Sequence, residues 1–134
     1  MNHNLFDTFA AKMQARATAN FITTPEGDEY SYADALAMTE RLAGALKALG
    51  VNPGDRVAVQ VDKSPEAILL YLATLRVGGV YLPLNTGYTA DEIGYFLGDA
   101  EPALFVCQPA AIESAKAVAA KTGCPRVETL GVKA

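Results

Sequence analysis

Apolar positions follow two rhythms along this chain, one helical and one of short unbroken runs. Leu5, Phe6, Phe9 and Met13 recur at helical intervals and predict an amphipathic helix over 5–13. A strand over 20–24, the turn Pro25-Glu26-Gly27-Asp28 and a short returning strand over 29–32 then read as a hairpin. Ser31, with Asp34 three residues on, makes a variant of the capping box. It opens a helix whose stripe is Ala35, Met38, Leu42, Ala45, Leu46 and Leu49. Gly50 stands where a left-handed terminating residue belongs, and Asn52-Pro53-Gly54-Asp55 keeps the helix from continuing.

Beyond that point the pattern becomes regular. Strands are predicted over 56–61, 80–84, 103–107 and 126–130, the first of them the β-branched run Arg56-Val57-Ala58-Val59-Gln60-Val61. Helices fill the gaps. One starts at the cap Ser64 with Pro65 in its first position and ends at Gly78-Gly79. The next opens on a second capping box, Thr89 with Glu92, and a third spans 110–122 before Gly123. Strand starts near Arg56, Val80, Leu104 and Arg126 lie 24, 24 and 22 residues apart, the signature of successive βαβ crossovers. The expected fold class is therefore α/β: a layered, mostly parallel sheet preceded by a helix and hairpin, in a single domain over 1–134.

The helix over 65–77 is apolar nearly all round, with Ile68, Leu69, Leu70, Tyr71, Leu72, Leu75 and Val77 against only Glu66, Thr74 and Arg76. Such a helix is normally buried on most sides. Two readings are open: a core helix exposing Thr74 and Arg76, or a helix over which more protein lies, in cis or in trans.

Composition narrows the functional classes. Hydrophobic residues make up 51% and charged ones 19%, with 11 Gly and 7 Pro, which excludes a disordered tail, a collagen-like chain and a coiled coil. A net charge of −4 with no basic block argues against nucleic acid and anionic membrane as partners. The first residues lack the charged and apolar regions of a signal peptide, and the apolar run over 67–75 is too short to span a bilayer; a cytoplasmic protein is expected.

Catalytic equipment is hard to find. His3 is the single histidine, which disfavours Ser-His-Asp, Cys-His and histidine-built metal sites. Cys107 ends an apolar run and reads as a small hydrophobe; with Cys124 it has no zinc spacing. A phosphate cradle needs glycines between a strand and a helix N-terminus, whereas Gly78-Gly79 lies between a helix and a strand, and the turn Asp62-Lys63-Ser64-Pro65 has no glycine. Asp62 follows a strand end in an open sheet, where ligands tend to bind, so a receiver-like phospho-acceptor is conceivable. The acidic cluster that would hold its metal is missing, and Asp62 reads better as a solvated turn. Pro83 and Asn85 mark Val80-Tyr81-Leu82-Pro83-Leu84-Asn85-Thr86 as a strand leaving the sheet, with lining a cleft as the functional alternative. No catalytic, cofactor-binding or metal-ligating residue is assigned.

Three stretches resemble a known family. Tyr30-Ser31-Tyr32-Ala33-Asp34-Ala35 is similar to the Thr/Ser-Tyr-x-Glu-Leu element near the start of adenylate-forming enzymes: acyl-CoA synthetases, peptide-synthetase adenylation domains and luciferases. Gly54-Asp55-Arg56-Val57-Ala58-Val59 resembles their Gly-Asp-x-Val element, and the stretch from Leu75 to Asn85 their Leu-Lys-Ala-Gly-x-x-Tyr-x-Pro-Leu core motif. The similarity runs from about residue 5 to 130, and between Leu70 and Pro102 it is strongest to malonyl-CoA synthetases.

The resemblance implies ATP-dependent activation of a small, malonate-like carboxylic acid through an acyl-adenylate, followed by transfer to coenzyme A, with Mg²⁺ as the accompanying metal. In that family the phosphate loop, the metal-holding Thr-Glu, the ribose-binding Asp and the C-terminal Lys all come later than this segment, so none carries over. The chain is accordingly expected to be the N-terminal segment of a longer ligase, inactive alone and prone to self-associate, as a homodimer, through surface that the rest of the enzyme covers. The alternative expectation is a self-sufficient α/β binding or receiver-like module.

Overall fold

The computed structural model describes residues 5–130. Helix α1 (Leu5–Gln14) leads to the antiparallel hairpin β1 (Asn20–Thr23) and β2 (Glu29–Ser31), and then to α2 (Tyr32–Ala48). Strands β3 (Arg56–Gln60), β4 (Val80–Pro83), β5 (Leu104–Cys107) and β6 (Val127–Thr129) alternate with helices α3 (Pro65–Arg76), α4 (Ala90–Ala100) and α5 (Ile112–Thr122). A short 3₁₀ turn, Pro109–Ala111, precedes α5.

The caps read from sequence form as hydrogen-bonded units. Asp34 N–H donates to Ser31 Oγ at 3.0 Å while Ser31 N–H donates to Asp34 Oδ2 at 3.1 Å. Thr89 and Glu92 repeat the exchange at 3.2 and 2.9 Å. Gly50, Gly78 and Gly123 all adopt positive φ at helix ends, as expected for residues that must reverse the chain at once.

The four-stranded sheet is fully parallel in the order β4-β3-β5-β6. β3 therefore sits inside, β4 pairs on one side of it, and the chain crosses through α4 to place β5 on the other. Alternation along the inner strands sends side chains to two faces. Val57, Val59, Leu104 and Val106 pack on α2 and α3 through Leu46, Leu70, Ala73 and Val77. Ala58, Phe105 and Cys107 pack on α4 and α5 through Leu97, Ala115 and Val118. The outer side of α2 and α3 is covered in part by α1, whose Phe6 and Met13 meet Ala35, Leu69 and Leu72. The layered α/β class is thus observed. Among the described residues no helix is long and apolar enough to cross a membrane.

Two details depart from the sequence reading. On α2 the buried line is Ala35, Thr39, Ala43 and Leu46, whereas Ala45 is exposed. On α3, Thr74 is wholly buried, its hydroxyl donating to Leu70 O at 2.8 Å, while Ile68 and Tyr71 face outward at 45% and 38% exposure. A threonine that returns its hydroxyl to the preceding turn buries no unpaired polar group, so it is tolerated against the core.

Candidate functional site

The site is built at the C-terminal edge of the sheet. The connection through α3 carries the chain from β3 to β4 on one side and the connection through α4 returns it to β5 on the other, so the crevice between the ends of β3 and β5 is the topological switch point of an open parallel sheet. Gln60, the last residue of β3, is only 8% exposed. Its Nε2 donates to Asn85 O at 2.9 Å, tying the end of β3 to the loop leaving β4. That loop is folded by its own asparagine, since Gly87 N–H donates to Asn85 Oδ1 at 2.7 Å.

Two cavities flank this tie. One, of about 190 Å³, lies towards α4 and α5 and is lined by Gln60, Thr86, Tyr88, Gln108 and Ser114 over a floor that includes Phe105. Tyr88 stacks on Phe96 with ring centroids 5.0 Å apart, fixing one wall. The other, of about 420 Å³, opens towards α3 and is lined by Asp62, Lys63, Tyr81, Pro83, Asn85 and Thr86. The stretch 80–86 is a strand that leaves the sheet after Pro83, as expected, and Tyr81, Pro83, Asn85 and Thr86 also line this cavity.

What this edge can do chemically is limited. The helix N-termini here are satisfied from within: Ser64 Oγ accepts from Ala67 N–H at 3.1 Å, and Thr89 closes its capping box. Asp91 and Glu92 in the first turn of α4 repel an anion, so α4 does not fit a phosphate cradle. Among the described residues nowhere do three or more His, Cys, Asp or Glu side chains come together as a metal site, and Asp62 is exposed beside Lys63. The residues present thus do not fit the phosphates of ATP or its Mg²⁺. Cys107 is fully buried, and burial pushes its thiol above its ordinary value, opposite to the shift an activated nucleophile needs. Burial likewise raises Cys124, partly offset by a hydrogen bond with the Arg126 backbone, and raises the Tyr81 phenol.

The family-like motifs lie elsewhere. Tyr30 to Ala35 forms the hairpin exit and the α2 cap. The other two clasp each other at the opposite, N-terminal edge of the sheet. Gly54 N–H donates to Gly78 O at 2.8 Å and Val80 N–H to Asp55 O at 2.8 Å. Asp55 Oδ2 also accepts from Asn52 N–H at 2.8 Å, closing the turn. These motifs are scaffold. Gln60, Gln108 and Ser114 belong to no motif in the sequence; the one local signal is a glutamine, Gln60, near the end of an apolar β-branched strand.

The profile of AMP-binding enzymes matches residues 6–133. The chain belongs to the AMP-binding enzyme family. The chain is 50% identical to ATP-bound MatB of Rhodopseudomonas palustris, with a TM-score of 0.90 over 98% of this chain and 26% of MatB. It is 38% identical over 90 residues to the probable CoA ligase CCL9 of Humulus lupulus, covering 67% of this chain and 17% of that protein. Tyrocidine synthase 3 of Brevibacillus parabrevis is 33% identical over 106 residues, 79% of this chain and 2% of that one. The chain thus spans about a quarter of MatB and smaller parts of the other two. The resemblance to adenylate-forming enzymes is confirmed, and the receiver-like alternative is set aside.

Proposed function

We propose that this chain is the N-terminal segment of an ATP-dependent acid–CoA ligase acting on malonate. In the reaction a carboxylate oxygen attacks the α-phosphorus of ATP, giving an acyl-adenylate and releasing pyrophosphate. The coenzyme A thiolate then attacks the acyl carbon and AMP leaves with the electron pair. Family membership supports the reaction class. The similarity of the scaffold run from Leu70 to Pro102 to malonyl-CoA synthetases supports malonate as the acid, together with the half identity to MatB.

On this reading the chain supplies scaffold. The clasp that joins Gly54 to Gly78 and Asp55 to Val80 fixes one end of the sheet, and the tie from Gln60 to Asn85 fixes the loops at the other. ATP, Mg²⁺ and coenzyme A are held by other parts of the ligase, and the chain alone performs no adenylation. The test is carboxylate-dependent exchange of labelled pyrophosphate into ATP, using the protein that carries this chain. Malonate is expected to support exchange well above acetate or benzoate, while residues 1–134 alone give background. Preference for a monocarboxylate would remove malonate from the reading. Absence of exchange with every acid from folded protein would remove the ligase itself.

A further inference from the structure

We propose that the cavity of about 190 Å³ between the ends of β3 and β5, the loop leaving β4, and helices α4 and α5 is a binding site for a small uncharged amide, separate from the places that take acid, ATP and coenzyme A. Its apolar half is Phe105 of β5, Ile93 of α4 and Val118 of α5. Its polar half is two carboxamides, Gln60 and Gln108, with the hydroxyls of Thr86, Tyr88 and Ser114. Gln60 is more than nine-tenths buried, and its one hydrogen bond is the one donated to Asn85 O at 2.9 Å. Its carbonyl oxygen accepts from no group among the described residues, a state that buried amides seldom keep. The Gln108 side chain has no hydrogen-bond partner among the described residues either. Ser114 donates to Ala111 O at 3.1 Å, which leaves its oxygen free to accept.

Charge and shape select the ligand. No charged side chain lines the cavity. Asp91 and Glu92 stand in the first turn of α4, the helix that supplies Ala90 and Ile93 to the wall, and they work against an anion. A cation would be desolvated inside with no carboxylate to pair with. An amide presents a carbonyl oxygen and an N–H side by side, so it can meet the donor of one glutamine and the acceptor of the other. Its alkyl end then packs on Phe105 and Val118. Sites for drug-sized ligands run to roughly 300–1,000 Å³, so the occupant here is smaller than those.

The experiment is a titration of the protein that carries this chain, labelled with ¹³C at its alanine and isoleucine methyl groups, of which Ala90, Ile93, Ala111 and Ala115 line the cavity. The probe is propionamide, with propionate as its charged counterpart of the same shape. Propionamide should shift these four methyls saturably at roughly millimolar concentration, and propionate should leave them in place. Gln60→Leu and Gln108→Leu should each weaken propionamide at least ~5-fold. Gln60→Leu also loosens the Asn85 loop, so Gln108→Leu, which breaks no hydrogen bond among the described residues, is the deciding variant. No saturable shift, equal shifts with propionate, or unchanged affinity in Gln108→Leu would each overturn the proposal. Displacement of propionamide by coenzyme A would return the cavity to the ligase reaction and overturn a separate site. No ATP or acid turnover enters the measurement, so its outcome and that of pyrophosphate exchange stand apart.

Discussion

Gly78→Ala should cost more than the backbone conformation alone explains. Gly78 has φ +78°, and an L side chain in the left-handed region costs about 1–2 kcal/mol. Its added Cβ would also stand 3.3 Å from Pro53 Cβ. Pro53 cannot retreat freely, because the next residue, Gly54, donates its N–H to Gly78 O. Overpacking of this kind adds roughly 1 kcal/mol, for a total of about 2–3 kcal/mol. The control is Gly50→Ala, where φ is +90° but nothing lies within 4 Å of the added carbon, leaving the conformational cost alone. With 134 residues the unfolding entropy is about 0.28 kcal/mol per kelvin, so Tm should fall by about 7–11 °C for Gly78→Ala and about 4–7 °C for Gly50→Ala. Thermal unfolding followed by far-UV circular dichroism measures both. Equal drops would show that the Pro53 contact contributes nothing. No drop in either would refute the left-handed argument itself.

Further outcomes follow from buried polar groups. Thr39 is fully buried with its hydroxyl unpaired, so Thr39→Val should stabilise by about 1 kcal/mol, read as a raised urea midpoint; a lowered midpoint would mean the hydroxyl has a partner. Gln60→Leu removes one of the two donors to the Asn85 carbonyl, which keeps Tyr88 N–H at 3.1 Å, and should cost about 1 kcal/mol, with faster amide exchange confined to residues 85–88; unchanged exchange there would show that the loop holds without it. Cys107 and Tyr81 ionise above their ordinary values of 9.0 and 10.0 in the folded chain, so the unfolded chain binds fewer protons in that range. Stability should therefore hold below about pH 9 and fall as pH rises through the folded values. The slope should shrink in Cys107→Ala and Tyr81→Phe, and a slope unchanged in both variants would contradict the assignment.

Much of this fold is local and was legible in the residues themselves. The capping boxes at Ser31 and Thr89 and the terminators Gly50, Gly78 and Gly123 act within a few residues of their own positions, so their geometry needs no distant partner. The spacing of the strands likewise required helices between parallel neighbours. Strand order was different. A strand placed on either side of β3 satisfies the same spacing, and only packing of α4 and α5 on the face opposite α2 and α3 puts β5 beside β3. That choice creates the crevice where Gln60 meets Asn85, residues 25 apart in sequence. It also decided which side of an almost wholly apolar helix would face outward. Periodicity pointed to Thr74, but α3 is wedged between the sheet and the α1–α2 pair, so Thr74 turns inward and Ile68 and Tyr71 are left at the surface. A hydrophobic pattern says that a helix has something to bury; only the positions of its neighbours determine which residues they cover.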